Sequence, residues 1–149
     1  MSKDWKEPSV LIVGCGSIGK RHARALVDLG LGDIRACDST PQARQQMAEQ
    51  SPSLSLFDSY EDGLKSNPDA VFICTPTELH VPMAIDAVRS GCHVFIEKPL
   101  SDTTEGVDEL SALARGINRK VMVGLCFRYH EGVLKMRSTL ASGCVGKLV

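Results

Sequence analysis

"VLIVGCGSIGKRHA", residues 10–23, decides the fold. Four apolar residues, Val10 to Val13, form a run of the length expected for a buried strand. Three glycines follow as Gly14-x-Gly16-x-x-Gly19, and Ile18, His22, Ala25, Leu26 and Leu29 then recur near helical spacing. Strand, glycine turn and helix in that order make the pattern far more informative than glycines alone. Gly14 permits a tight turn, Gly16 lets a pyrophosphate approach the backbone, and Gly19 lets the helix pack on the strand. Ser17 and Ile18, at the helix start, lie where free N–H groups and the positive dipole end would meet phosphates.

The rest of the chain repeats this alternation. After a helix over 18–28, further strands are expected at "IRAC" (34–37), "LSLF" (54–57), "AVFIC" (70–74), "HVFI" (93–96) and "VMVG" (121–124). Helices are expected between them: from Thr40-Pro41 to Gln50, with proline in a favoured first-turn place, then 60–66, 81–90 and 101–118. Gly91 should close the 81–90 helix, Thr103 or Thr104 should start the next, and a last helix is expected over 132–142. Strands alternating with helices mean βαβ units, and near-continuous apolar strands mean a sheet buried on both faces. The fold class is α/β, a doubly wound parallel sheet of the Rossmann type.

Asp38 closes the second strand, 19 residues beyond Gly19. That is about the spacing of an acid that hydrogen-bonds the adenosine ribose hydroxyls of a dinucleotide. A carboxylate there repels a 2′-phosphate, so NAD is favoured over NADP, while Ser39, Thr40 and Arg44 leave NADP open. S-adenosylmethionine methyltransferases also place a glycine turn after strand one and an acid after strand two. These two features alone leave that alternative standing.

Bulk properties narrow the classes. A chain of 149 residues, 43% hydrophobic and 23% charged, fits a globular domain. A net charge of -1 argues against nucleic acid and against an anionic membrane surface. No apolar run approaches the roughly 20 residues of a membrane span, and the opening "MSKDWKEPS" is not a signal peptide. The six cysteines form no C-x-x-C pair or zinc-type spacing, so no metal is expected and a cytoplasmic protein is.

In an open parallel sheet, ligands sit beyond the carboxyl ends of the strands. Strand four ends in "CTPTELH" (74–80), where Thr75 and Thr77 offer hydroxyls, Pro76 stiffens the turn and His80 opens a helix. Strand five ends in "EKPLSD" (97–102), presenting Glu97, Lys98 and Pro99 in succession. His22 and His93 read as structural.

"GCGSIGKRHA", "CTPTELH" and "EKPLSD", in this order, resemble the N-terminal domain of the Gfo/Idh/MocA oxidoreductase family. The resemblance runs from Val10 to Val149 and includes "VGLCFRYHEGVLKMRSTLASGCVGKL", similar to that family's crossover to a second domain. It implies an NAD(P)-dependent dehydrogenase or reductase of sugars, inositols or related polyols, and disfavours a methyltransferase. By the same resemblance, Lys98 would hold or polarise a substrate oxygen and take part in proton transfer. Glu97 would bind the nicotinamide-side ribose or orient Lys98. Thr75, Pro76, Thr77, His80 and Arg128 would contact the cofactor. Cys126 and Glu131 depart from the family's usual Asn or Gln and Pro.

Residues 1–125 are therefore expected to form the dinucleotide-binding domain, and 126–149 a crossover helix and the first residues of a truncated substrate domain. The final "GKLV" reads as the start of that domain's first strand, which makes the chain a fragment expected to bind nucleotide with little turnover. A non-catalytic NAD-sensing module is the other reading. The resemblance leaves a homo-oligomer open for the full-length protein.

Overall fold

The computed structural model describes residues 7–146, so the expected strand start in "GKLV" lies, from Lys147 on, outside the described residues. The chain runs β1 (Val10–Val13), α1 (Ser17–Asp28), β2 (Ile34–Cys37), α2 (Pro41–Gln50), β3 (Ser55–Phe57) and α3 (Tyr60–Lys65). It continues as β4 (Ala70–Ile73), α4 (His80–Arg89), β5 (His93–Ile96), α5 (Val107–Gly116), β6 (Val121–Val123) and α6 (Glu131–Ala141). Short 3₁₀ turns occupy Thr77–Leu79 and Cys126–Tyr129.

Among the described residues the sheet has six strands in the order β3-β2-β1-β4-β5-β6, all parallel. The first half of the chain builds outward from β1 through β2 and β3. The second half starts again on the other side of β1. The strand order thus reverses between β1 and β4, where the loops leaving the two strands diverge and open a crevice. The register pairs Val13 with both Cys37 and Ile73, and Ile73 with Ile96, so the strand ends share one edge of the sheet.

Two cores flank the sheet. Leu11, Val13, Val71, Ile73, Val94 and Ile96 point to one face, against Val81, Ala84, Ile85 and Val88 of α4 and Leu110 of α5. Val10, Ile12, Ile34 and Ala36 point to the other, against Ala23 of α1 and Met47 of α2. Alternation along each strand produces this division. Each fully buried Leu, Ile or Val contributes about 1.5–3 kcal/mol by leaving water.

The fifth helix is the main departure from expectation. It starts at Val107 rather than Ser101, and Thr103 and Thr104 lie in bends before it. Gly106 takes a left-handed conformation at φ 73, which ends the preceding segment and sets the helix at a new angle. A Cβ at Gly106 would stand 2.9 Å from Val81 Cγ1, so the backbone here presses on α4. Ser101 Oγ accepts from the Thr103 N–H, a local bond that competes with a helical start. Other boundaries agree to within a residue or two.

The last helix differs in kind. α6 is capped by His130 Nδ1, which accepts from the Gly132 N–H, yet it buries no residue. Val133, Leu134, Met136 and Leu140 are each at least 39% exposed. No helix among the described residues is long and apolar enough to cross a membrane.

Glycine geometry gives a direct test of this packing. A Cβ on Gly19 would lie 1.9 Å from the Gly14 carbonyl oxygen, which is backbone and cannot swing aside. Gly19→Ala should cost about 3 kcal/mol in urea unfolding. Gly116, which ends α5 with nothing near its Cβ position, provides the contrast. Gly116→Ala should stabilise by roughly 0.5–1 kcal/mol. Equal effects at the two sites would contradict the close approach of α1.

Candidate functional site

The turn between β1 and α1 is shaped by its glycines. Gly14 sits at φ +98, and a Cβ there would meet the Cys74 carbonyl oxygen at 2.8 Å, so the turn lies directly on the end of β4. Gly16 has the opposite surroundings, with nothing within 4 Å of its Cβ position. It is also the N-cap of α1, with no side-chain cap bond and no acidic residue in the first turn. The first amides of α1, those of Ser17, Ile18 and Gly19, have no acceptor within the helix. The result is an open, uncapped, electropositive helix end beside bare backbone.

Asp38 faces this turn from the end of β2. Its Oδ2 accepts from the Cys15 N–H at 2.8 Å and its Oδ1 from the Thr40 N–H at 2.8 Å. Each oxygen keeps one lone pair for a further donor. Arg44 is turned away from the carboxylate and donates to the Asp38 carbonyl oxygen. A crevice of about 610 Å³ opens here, with Gly14, Gly16 and Asp38 on one side and Thr75 and Pro76 on the other.

The crevice therefore brings together Gly14, Gly16, Asp38, Thr75 and Pro76 of the residues singled out in the sequence. It adds Asp58, Ser59, Tyr60 and Glu61, which follow β3. Sequence reasoning missed these four, although their place after a strand at the carboxyl edge was the available signal.

His80 is buried behind the site. Its side chain was expected at a cofactor, but the residue is only 2% exposed. Nδ1 lies 2.8 Å from the Pro99 carbonyl oxygen and Nε2 2.9 Å from that of Thr75. Both ring nitrogens face backbone carbonyl oxygens, and a neutral imidazole, with one N–H, donates to one of them, so the buried ring lies between two loops instead of facing the crevice. Arg128 lies elsewhere on the same edge of the sheet. It is exposed on the turn after β6, an edge strand two places from β4, and does not line the crevice. Thr77 opens the 3₁₀ turn beyond Pro76 and does not line it either.

Glu97 and Lys98 stand at the end of β5. Glu97 Oε1 lies 2.7 Å from His22 Nε2, and its Oε2 accepts from the Lys98 N–H at 3.1 Å. Lys98 itself is exposed, and among the described residues its ammonium makes no hydrogen bond or ion pair. His22, read as structural in the sequence, is a direct partner of Glu97. Nothing in the sequence links residues 22 and 97 until the strand order is known.

With that geometry in place, residues 9–125 match the Gfo/Idh/MocA family, described as "Oxidoreductase family, NAD-binding Rossmann fold". The chain belongs to the Gfo/Idh/MocA oxidoreductase family. Among its relatives is D-glucoside 3-dehydrogenase of Escherichia coli K12, 29% identical over 144 residues, covering 93% of this chain and 40% of the relative. The crystal structure of myo-inositol 2-dehydrogenase from Lactobacillus plantarum superposes with a TM-score of 0.88 at 30% identity, over 97% of this chain and 44% of that one. The WlbA dehydrogenase of Bordetella pertussis, solved with NADH and UDP-GlcNAcA, gives 0.87 at 26% identity, over 98% of this chain and 43% of that one. The chain spans about 40% of the length of the curated relatives it matches.

This Gfo/Idh/MocA domain surrounds its glycine turn with cysteines. Burial, reinforced by the Asp38 charge, pushes the Cys15 thiol up to about 11. Burial pushes Cys37 to about 12 and Cys74, with a further push from Glu97, also to about 12. Cys92 is likewise raised by burial. Because the thiolate is the reactive form, these four should be inert at neutral pH, whereas Cys126 and Cys144 are exposed. Native labelling with a disulfide reagent at pH 8 should modify two thiols fast and the other four only on unfolding. Mass mapping that finds Cys15 or Cys37 among the fast pair would contradict the packing of the turn.

Proposed function

We propose that these residues form the nucleotide half of an NAD-dependent dehydrogenase or reductase acting on a sugar, inositol or related polyol. The observation that carries the reading is the Gly16 cradle, open and uncapped, directly opposite the Asp38 carboxylate. The residues present fit a dinucleotide. The N–H groups at the start of α1 would hold the pyrophosphate, and Asp38 would accept from the adenosine ribose hydroxyls. When bound, the nicotinamide supplies hydride transfer chemistry.

Acidity favours NAD over NADP. Asp38, Asp58 and Glu61 all line the adenosine end of the crevice, and a 2′-phosphate there would meet three carboxylates. Arg44, at the start of α2, is held on the Asp38 backbone. On the other side, Lys98 would hold a substrate oxygen and stabilise negative charge that grows on it. An exposed ammonium without a partner suits that role, since it keeps its donors for a ligand. Glu97, fixed on the Lys98 N–H, would orient it.

The domain division follows the same reading: residues 1–125 would serve the nucleotide, and 126–149 would lead into a substrate domain carrying the remaining acid-base groups. The family match over 9–125 and the unburied apolar side of α6 support it. The lengths of the relatives agree, and a homo-oligomer of the longer protein is compatible with it. A reducing, cytoplasmic setting suits the free thiols.

Calorimetric titration tests the cofactor claim. NADH should bind saturably and more tightly than NADPH. Gly16→Val should abolish binding by filling the cradle, and Asp38→Ala should narrow the gap between the two nucleotides. Absence of saturable binding by either nucleotide would sink the reading. In the longer enzyme that this reading requires, Lys98→Met should lower kcat by about 10²–10⁴-fold, and an unchanged kcat would remove Lys98 from the chemistry.

A further inference from the structure

Two histidines flank Lys98 in space, one gripping the residue before it and the other the residue after it. The first arrangement starts in the sheet. Phe72 of β4 and Phe95 of β5 are register partners, and their rings stack at 4.8 Å and 24°. Alternation along β5 puts Glu97 on the same face as Phe95, two residues on. That face is the one covered by α1. His22 lies one turn beyond Gly19, so the close seating of α1 lowers its ring onto the stacked pair. It meets Phe72 edge-on at 5.6 Å and 80°, and Phe95 at 5.2 Å and 68°. With its plane fixed by two rings, His22 points Nε2 at Glu97 Oε1, 2.7 Å away, while Glu97 Oε2 takes the Lys98 N–H.

The second arrangement comes from the opposite wall. His80 opens α4 and sits between the Pro99 and Thr75 carbonyl oxygens, and as the Nδ1–H tautomer it donates to Pro99. One brace therefore originates in the helix that follows the glycine turn. The other originates in α4, just beyond the loop that carries Thr75 and Pro76. The glycine turn before α1 and the loop with Thr75 and Pro76 before α4 both line the crevice.

We propose that His22 and His80 are positioning residues that hold the Lys98 backbone from both sides and so tie the place of its ammonium to the two crevice walls. The inference rests on the reading of Lys98 as the substrate-facing cation. Neither histidine touches the reacting atoms. Each acts through a neighbour of Lys98, His22 through the Glu97 carboxylate and His80 through the Pro99 carbonyl.

Amide hydrogen exchange on the 149-residue chain tests it, with the Lys98 amide read against those of Ile12 and Val13 in β1. His22→Phe keeps an aromatic ring on Phe72 and Phe95 but removes the donor to Glu97. It should speed Lys98 exchange about tenfold relative to β1, the loss of roughly one hydrogen bond. His22→Gln, which retains a donor, should restore most of the protection, and His80→Leu should loosen Lys98 as His22→Phe does. Unchanged Lys98 exchange, or equal acceleration at Lys98 and in β1, overturns the proposal. If His22→Phe does not fold, the wild-type ¹⁵N spectrum decides, because a His22 protonated at Nδ1 alone cannot donate from Nε2. These measurements use no nucleotide. Failure of the same wild-type sample to bind NADH would therefore sink the cofactor reading while leaving the brace result to stand on its own.

Discussion

The close approach of the first helix to the turn that precedes it governs the rest of the structure. Because Gly19 has no Cβ, α1 lies on the Gly14 carbonyl instead of being held off it by a side chain. The helix end is then aimed at the space beyond β1, and its amides stand where an anion would meet them. The same seating lets Ala23 reach the sheet and lowers His22 to the aromatic pair on β4 and β5. Gly14 adds the complementary contact, closing on the Cys74 carbonyl and so joining the turn to β4. Two missing side chains thus align the halves of the crevice.

Asp38 shows how the crevice is kept ready. A lone carboxylate at a strand end would swing between rotamers and repel its neighbours. Here each oxygen is already held by a backbone N–H, from Cys15 on the glycine turn and from Thr40 at the start of α2. Charge-assisted bonds of this kind are stronger than neutral ones and fix the direction of the remaining lone pairs. The acid that faces a ligand is oriented before the ligand arrives, which lowers the ordering cost of binding.

Most of the fold was legible because parallel strands buried on both faces leave a plain signal. The runs at 10–13, 34–37, 70–73 and 93–96 are apolar apart from Arg35 and His93 and are bounded by polar or turn residues, and each forms a strand there. The start of α5 was not legible, since Ser101 to Glu105 satisfies helix-start preferences while Gly106 overrides them with a left-handed backbone. At the site, local motifs were readable and long-range partners were not. Gly14, Gly16 and Asp38 announce themselves by spacing. His80 was seen as a site residue but not as a brace, because its partners at Thr75 and Pro99 are backbone oxygens that leave no trace in composition. His22 was passed over because its side-chain partners Glu97, Phe72 and Phe95 are distant in sequence, and Asp58 to Glu61 because β3 is short and weakly apolar.

The pairing of β1 with β4 has a consequence for folding. Val13 and Ile73 are neighbours in the sheet but 60 residues apart in the chain, with β2, β3 and three helices intervening. The crevice exists only once that distant pairing has closed, so the unfolded chain has nothing equivalent to offer a ligand. Any molecule held there acts on the folding equilibrium by mass action, adding about 2.7 kcal/mol at a concentration a hundred times its Kd. For a small domain whose whole stability is on the order of 5–15 kcal/mol, any occupant of the crevice is a structural ingredient as well as a ligand.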